Sequence, residues 1–215
     1  MKHLALLIIL VTFGSPSFSQ KKDTIVLMNG NVIIESVLDS SLFAVTIPDA
    51  KKPSKNLHYE FQDIFCVHYH HGETRYYYRQ DTSISHWFTR EEMAYFVKGE
   101  ADGRKGFKAR GALIGGGIIG FLGGATGSFF APILPYGFMG LSGITRVRIR
   151  HNTISNPAYI DYDPYILGYE RSARYKRKLR SLLGGSIGLA VGYGFYFALK
   201  DHYPTGVSGG KFSFK

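Results

Sequence analysis

Two long apolar stretches dominate the hydrophobic pattern of this chain. The first, 111–131, reads GALIGGGIIGFLGGATGSFFA, and the second, 181–199, reads SLLGGSIGLAVGYGFYFAL. A helix of about 20 apolar residues is long enough to cross the hydrocarbon core of a bilayer. Because neither stretch carries a charge, each one predicts a transmembrane helix. Pro132 and Pro135 predict the end of the first helix, since proline interrupts helical hydrogen bonding.

Both stretches place glycine at intervals of four residues, which puts the glycines on one face of a helix. A face of small residues lets another helix backbone approach closely in lipid. The predicted helix-packing glycines are Gly111, Gly115, Gly116, Gly120, Gly124, Gly184, Gly188 and Gly192. Two such helices in a short chain predict a transmembrane hairpin. A buried pair of glycine-rich helices in a soluble domain is the alternative interpretation.

Runs of β-branched and aromatic residues fill the chain before the apolar stretches. The runs 23–28 and 31–38 flank Asn29-Gly30, which is the strongest short signal for a β-hairpin. Further strands are predicted at 42–47, 63–70 and 73–79. The polar segment 48–56, PDAKKPSKN, predicts a loop. Short strands without a helix between them predict an α+β chain whose residues 23–81 form a small antiparallel barrel, SH3-like or Sm-like.

A helix is predicted between the strands and the first apolar stretch. Thr89, with Glu92 three residues later, fits a capping box. Apolar residues then recur at helical spacing at Met93, Phe96 and Val97. This pattern predicts a helix that ends near Gly99, and the whole linker with its basic residues covers 89–110.

The N-terminus has the three-part pattern of a secretory signal. Lys2 precedes the apolar run Leu4–Phe13, and small residues follow up to Ser19. This pattern predicts a signal peptide over residues 1–19. Export argues against nucleic acid as a partner, although the net charge of +10 would otherwise suggest one. The single cysteine excludes an internal disulfide.

The segment between the apolar stretches, 132–180, is predicted as a basic loop, with an interfacial or re-entrant piece at 133–145 as an alternative. Loops rich in Lys and Arg stay in the cytoplasm. A cytoplasmic loop between two spans agrees with an exported β domain before the first span and a flexible tail at 200–215 after the second. The basic residues at 104–110 oppose this charge asymmetry. The residues predicted to set topology and to meet lipid headgroups are Arg174, Lys176, Arg177, Lys178 and Arg180.

Short motifs are spread over residues 23–195. They are DTIVLMNGNVIIESV, DIFCVHYHHGE, MAYFVKGEADGR, Asn156-Pro157, YILGYE from Tyr165 and ARYKRK from Ala173. In this order they resemble a family of exported envelope proteins of Bacteroidota, although Gly103 stands where that family has alanine. The resemblance implies an N-terminal small β domain and a C-terminal glycine-rich transmembrane hairpin. The family carries no assigned activity, so the resemblance implies location and architecture alone.

Five histidines are the nearest approach to a metal site. They are His58, His68, His70, His71 and His86. His68 and His70 would share one face of a strand, a geometry that binds zinc or copper. Metal sites need three or four convergent ligands, so surface histidines are the favoured interpretation. No metal or cofactor is predicted.

Two further clusters have chemical alternatives. The tyrosine run 76–78 would form a stacking surface for nucleic acid, but export favours ordinary strand aromatics. The acids of the predicted loop are Asp161, Asp163 and Glu170. They would serve in acid–base chemistry, with ion pairing to nearby arginines as the simpler interpretation. Cys66, in an apolar strand, is expected in the core, and no catalytic residue is predicted.

The sequence therefore predicts a non-enzymatic, membrane-anchored envelope protein. Its exported β domain would be a protein-interaction or scaffold module in the periplasm, anchored in the inner membrane, with outer-membrane association as the alternative. The expected partners are membrane lipid and either a second copy of the chain or another envelope protein. A second function class is a small oligomeric pore lined by Thr126, Ser128, Ser186, Tyr193 and Tyr196. The absence of charge within the spans weakens that interpretation.

Overall fold

The computed structural model describes residues 22–41, 43–49, 52–84 and 86–200. They belong to two compact units. One contains the strands up to Tyr78, and the other contains the helices together with the turn Leu27–Asn31. The chain is α+β, with antiparallel sheets first and helices afterwards. The predicted signal peptide, 1–19, and all of the predicted tail beyond Lys200 lie outside the described residues.

The β unit contains two sheets. The strands described are β1 (Asp23–Leu27), β2 (Val32–Glu35), β3 (Asp39–Ser40), β4 (Ala44–Asp49), β5 (Lys52–Glu60), β6 (Ile64–His68) and β7 (Thr74–Tyr76). The first sheet has the order β2-β1-β6-β7 and the second has the order β3-β4-β5. Alternating residues of β1 and β4 are buried, so each sheet turns one face of Ile and Val towards a core.

Closure into the predicted SH3-like or Sm-like barrel is not found among the described residues. The outer strands are β2 and β7 in one sheet, and β3 and β5 in the other. A barrel requires every edge to be paired, and no ladder joins these outer strands in the described part. The β unit therefore consists of two open sheets.

The segment 48–56, predicted as a loop, contributes much of the long strand β5. β4 pairs with β5 from Ala44–Glu60 to Asp49–Lys52, with a shift of register at Pro48 and Asp49. β5 is an outer strand, and outer strands tolerate proline and polar residues because one edge needs no partner. Backbone pairing with β4 therefore outweighs the local composition.

The predicted Asn-Gly hairpin is confirmed. β1 and β2 pair antiparallel from Asp23–Glu35 to Val26–Val32. Gly30 has a φ of +75°, which glycine adopts without strain. An added Cβ there would lie 2.6 Å from the backbone nitrogen of Ala101, so the turn lies directly against a helix.

The helical unit contains four α-helices in the described residues. They are α1 (Arg90–Gly106), α2 (Arg110–Ala125), α3 (Ile133–Ile144) and α4 (Asp163–Leu199). The capping box at the start of α1 is confirmed, because the Glu92 amide donates to Thr89 Oγ1 and the Thr89 amide donates to Glu92 Oε2. The predicted end near Gly99 is wrong, since α1 continues to Gly106.

The predicted loop 132–180 contains α3 and the first half of α4. The charged residues before Ser181 therefore belong to a helix of 37 residues. Lys, Arg and Glu are good helix formers, and one side of this half is buried. Its fully buried side chains are Tyr165, Tyr169 and Ala173.

Glycine contacts show in which direction α1 and α2 run relative to α4. The contacts of α1 with α4 are Gly99 to Tyr165 and Gly103 to Tyr169. Those of α2 with α4 are Gly116 to Ser181, Gly120 to Gly185 and Gly124 to Leu189. Residue numbers rise together in both series, so α1 and α2 each run parallel to α4. Two antiparallel spans would give the opposite order, so the predicted two-helix hairpin is not what the structure shows.

The chain returns between α2 and α4 in the opposite direction. Near the end of α2, Gly123 meets Ala131, and near its start Gly115 meets the ring of Phe138, so α3 runs antiparallel to α2. The segment 145–162 then follows α1 backwards, with Thr153 against Gly106. The unit therefore consists of a rising path (α1, α2), a descending path (α3, 145–162) and a second rising path (α4).

Replacing Gly168 with alanine should destabilise the helical unit. The new Cβ would overlap the carbonyl oxygen of Phe96 in α1, and overpacking typically costs about 1–3 kcal/mol. We expect the midpoint of thermal unfolding, followed by far-UV circular dichroism in detergent, to fall by several degrees. Gly194→Ala is the matched control, because Gly194 lies in the same helix with open space around it. Equal midpoints for the two variants would contradict the α1–α4 contact.

Candidate functional site

α2 and α4 approach each other at the distance of backbone contact. An added Cβ would overlap a carbonyl oxygen of the facing helix at Gly116, Gly120, Gly124, Gly184, Gly188 and Gly192. No side chain larger than hydrogen fits at these positions, which is the geometry that small-residue faces provide between membrane helices. These six glycines are among those that share one helix face through the spacing of four residues.

Two of the predicted packing glycines lie elsewhere. Gly111 has open space around it, and Gly115 faces the Phe138 ring of α3 with 2.9 Å between an added Cβ and Cζ. Sequence reasoning missed Gly185, where an added Cβ would lie 2.6 Å from Pro135 Cβ. It also missed the α1–α4 contact at Gly99 and Gly168, although the small residues of the GEADG motif have the same spacing of four.

Large apolar side chains cover the outward faces of the same helices. On α2 these are Ile114, Ile118 and Leu122, which are 57–62% exposed. On α4 they are Leu183, Ile187, Val191 and Phe195, which are 48–57% exposed. On α3 they are Ile133, Leu134, Tyr136, Leu141 and Ile144. Glycine lies inside and large apolar residues lie outside, which is the reverse of a water-soluble bundle.

One helix, α4, is long and apolar enough to cross a membrane, whereas α2 and α3 are shorter apolar helices. At 1.5 Å per residue, α2 spans about 24 Å and α3 about 18 Å. The two short helices lie against the apolar half of α4. Its Gly185 faces Pro135 of α3, and a hydrogen bond of 3.1 Å joins the buried Ser142 and Ser181 hydroxyls.

Basic residues gather at one end of the apolar helices, where α2 begins, α3 ends and α4 passes. We call this set the basic collar; its members are Lys108, Arg110, Arg146, Lys176, Arg177, Lys178 and Arg180. Arg177 donates to the carbonyl oxygens of Ser142 (3.3 Å) and Thr145 (2.9 Å). These carbonyls have no helical partner at the end of α3, so Arg177 caps that helix.

Three of the other four predicted headgroup residues have distinct contacts. Lys176 Nζ donates to the carbonyl oxygen of Arg104 at 2.6 Å, near the end of α1. Burial lowers the pKa of Lys176, and the charges of Arg180 and Arg104 lower it further. The Lys178 stem lies over Gly143, and Arg174 donates to Glu170 at 2.6 Å. The basic cluster therefore has structural contacts as well as exposed charge.

Asp102 joins three paths of the helical unit. Its Oδ2 accepts hydrogen bonds from the Ser155 amide (2.8 Å), the Ser155 hydroxyl (2.7 Å) and the Tyr165 hydroxyl (2.6 Å). Glu100 is buried with Arg171 at 3.5 Å, and burial raises the pKa of its carboxyl despite the nearby arginines. The GEADG and YILGY motifs therefore meet in one interface, which sequence reasoning did not predict.

Four of the pore candidates, Thr126, Ser128, Tyr193 and Tyr196, cluster at the end opposite the basic collar, whereas Ser186 is exposed in α4, six residues after Arg180. Tyr193 donates to the carbonyl oxygen of Ser128 at 2.6 Å, and Thr126 donates to that of Gly123 at 2.7 Å. The ring of Tyr196 lies against Gly127. The Thr126 and Tyr193 hydroxyls therefore bond to the end of α2 and to the turn between α2 and α3.

The histidines each have a separate partner. His68 Nδ1 lies 2.8 Å from Thr74 Oγ1, and His71 Nε2 lies 3.2 Å from Glu73 Oε2. His70 meets Asp23, whose carboxylate also accepts from the His70 and Val37 amides. Burial acts to raise the pKa of Asp23, but these hydrogen bonds bring it below its ordinary value. Among the described residues, no group of three or more His, Cys, Asp or Glu is placed to hold a metal.

The remaining candidates do not come together. Burial raises the pKa of the Cys66 thiol to about 11, which disfavours a reactive thiolate. Within the tyrosine run, Tyr78 is buried and Tyr77 packs on Phe61 with 4.5 Å between ring centroids, so the run does not present three rings on one surface. Glu170 pairs with Arg174, and the other two acids of the predicted loop are exposed.

The helical unit provides the features from which a function can be argued. Comparisons with protein-family models, with curated proteins and with solved structures find no match to this chain. The features of the helical unit that support a functional argument are the glycine contacts, the outward apolar faces and the basic collar.

Asp102→Ala should release the return segment from α1. Three donors would lose a charged acceptor, and each such hydrogen bond contributes about 1.5–3 kcal/mol. We expect exchange of the Ser155 amide, measured by hydrogen–deuterium exchange, to accelerate by about 100-fold. Asp161→Ala, an exposed acid on the same segment, should leave that rate within about threefold. Equal exchange in the two variants would show that Asp102 does not hold the segment.

Proposed function

We propose that this protein is a membrane-anchored envelope protein, with α2, α3 and the second half of α4 in the lipid and the β unit as a protein-interaction module. One observation supports the anchoring most strongly. The glycines of these helices face one another, while their Ile, Leu, Val and Phe residues face outwards. Such an arrangement is stable where the surroundings are as apolar as the side chains.

The soluble alternative requires the same faces to be covered. Monomeric soluble proteins rarely expose a contiguous apolar patch of more than a few hundred Å². Only 22% of the most apolar window of α4 is buried, so the described part of the chain does not cover this apolar surface. Lipid covers all of these faces at once.

The two ends of the apolar helices match the two surfaces of a membrane. The basic collar lies at one end, and the aromatic residues at the other end are Phe129, Phe130, Tyr193 and Tyr196. Basic and aromatic residues both favour the headgroup region. From Ser181 to Leu199 α4 rises about 28 Å, close to the roughly 30 Å of a hydrocarbon core.

The parallel order of α2 and α4 changes the expected topology. The collar and α1 lie at the same end, and the described chain between residue 79 and α2 contains no apolar helix. The β unit therefore shares a side of the membrane with the collar. The predicted signal favours export of that side, whereas the positive-inside rule favours the cytoplasm. We expect the signal to prevail, because the first apolar segment to be made usually sets orientation.

The β unit supports a protein partner through exposed apolar residues. β2 is an outer strand whose Val32 and Ile34 are 50% and 59% exposed. Leu38 follows it, and Phe43 is 79% exposed. An outer strand with apolar side chains is a template for the addition of another strand. The partner class is therefore an extended segment of an envelope protein or of a second copy. The resemblance to exported Bacteroidota proteins agrees with this proposal.

Cysteine labelling in cells tests both anchoring and topology. Cys66 is replaced by serine, and single cysteines are placed at Ser54, Tyr175 and Ser208. With a maleimide that does not cross the inner membrane, we expect labelling at 54 and 175 and protection at 208. The variant without cysteine is the control for background labelling.

The other labelling patterns contradict separate parts of the proposal. Labelling at 54 and 208 with protection at 175 would establish an antiparallel hairpin and overturn the parallel order. Labelling at 208 alone would show the opposite orientation, with the β unit and residue 175 in the cytoplasm. Labelling at all three positions would show that no helix crosses the membrane.

A further inference from the structure

We propose that a cationic cavity in the basic collar binds the phosphate group of an anionic phospholipid. The cavity has a volume of about 330 Å³. Its lining residues are Phe107, Lys108, Ala109, Arg110, Leu113, Lys176 and Arg180. Four of these are cations, and they come from the α1–α2 connection, the first residue of α2 and the middle of α4.

The cations of this cavity have few partners within the chain. The side chains of Lys108, Arg110 and Arg180 make no hydrogen bond or ion pair with another described residue, and the Lys176 side chain uses one of its three protons on the Arg104 carbonyl oxygen. None of the described lining residues is acidic. Like charges gathered without a counter-charge repel one another, and a bound anion removes that repulsion. Burial lowers the pKa of Lys176, and the neighbouring charges of Arg180 and Arg104 lower it further.

The start of α2, at Ala109 and Arg110, lies in the lining of the same cavity. No side chain caps the helix at Ala109, so its first amides have no partner within the helix. Unpaired amides and the helix dipole both favour an anion. The charged side chains and the amides thus act on the same ligand chemistry, which is a phosphate.

The surroundings of the cavity favour a lipid over a soluble phosphate. Leu113 in its wall is followed by the exposed Ile114 and Ile118 along α2. A second cavity of about 520 Å³ adjoins the same connection and is lined partly by Phe138 and Leu141 of α3. A phosphate in the first cavity would have its acyl chains at the start of these apolar faces. This inference rests on the proposed membrane anchoring.

Native mass spectrometry of the full chain in non-ionic detergent tests the site, with phosphatidylglycerol and phosphatidylcholine as the probes. We expect tighter binding of phosphatidylglycerol. The double substitution Arg110→Gln and Arg180→Gln should weaken it about thirtyfold, from the contribution of two basic residues near a lipid surface. Both side chains are exposed and have no described partner, so folding should persist, as checked by circular dichroism.

Two control pairs separate the cavity from charge in general. Arg110→Lys with Arg180→Lys should retain most of the binding, because the charges remain. Lys105→Gln with Arg148→Gln removes two exposed cations outside the cavity and should change the affinity less than threefold. Equal loss in this control pair, or equal affinity of the unaltered chain for both lipids, would overturn the proposal.

Competition with glycerol 3-phosphate identifies the source of the phosphate. Failure of the soluble compound to displace the lipid supports a lipid site, whereas full displacement at equal concentration would assign the cavity to a soluble phosphate ester and overturn the lipid assignment. Alkaline extraction of membranes is measured on the same variants. Equal affinity of the unaltered chain for both lipids, with retention of that chain in the membrane, refutes this site alone, and extraction of the unaltered chain refutes the anchoring.

Discussion

The helical unit depends on one physical constraint: α4 approaches the backbones of α1 and α2 so closely that no Cβ fits between them. The contact begins near Gly99 and Gly168 and continues to Gly124 and Gly192. Such contacts gain dispersion energy from close packing and do not need the hydrophobic effect, so they form in water and in lipid alike. A single helix of 37 residues can therefore serve two environments.

The same constraint dictates the path of the rest of the chain. Because α1 and α2 both run parallel to α4, the chain that connects the end of α2 with the start of α4 must return along the full length of α2 and α1. It does so through α3 and the segment 145–162, which brings the ends of α1 and α3 beside the middle of α4. Arg177 and Lys176 then donate to the carbonyl oxygens that these helix ends leave unpaired. The density of basic residues at this level follows from two helix ends meeting a third helix there.

The sequence predicted local features well and long-range ones poorly. Spacing by four places Gly116, Gly120 and Gly124 on one helical face, because a helical face is a property of neighbouring residues. The same spacing suits parallel and antiparallel pairs, so it did not reveal the direction of packing. Barrel closure likewise depends on pairing between distant edges. The charge of 170–180 suggested a loop, although these residue types favour helices. For the candidate site, charge located the basic residues, but their convergence with Lys108 and Arg110 required the fold.

The change of environment along the two rising paths explains where the cavity lies. The outward residues of α1 include Glu91, Lys98 and Lys105, whereas those of α2 are Ile114 and its apolar neighbours. The glycine contacts between the helices are of the same kind before and after this change, so the outward residues alone distinguish a polar half from an apolar half. The change falls where the path is interrupted between α1 and α2. An interrupted helix exposes unpaired amides, and a boundary with lipid attracts cations. The proposed phosphate site thus lies where the helix break coincides with the proposed membrane surface.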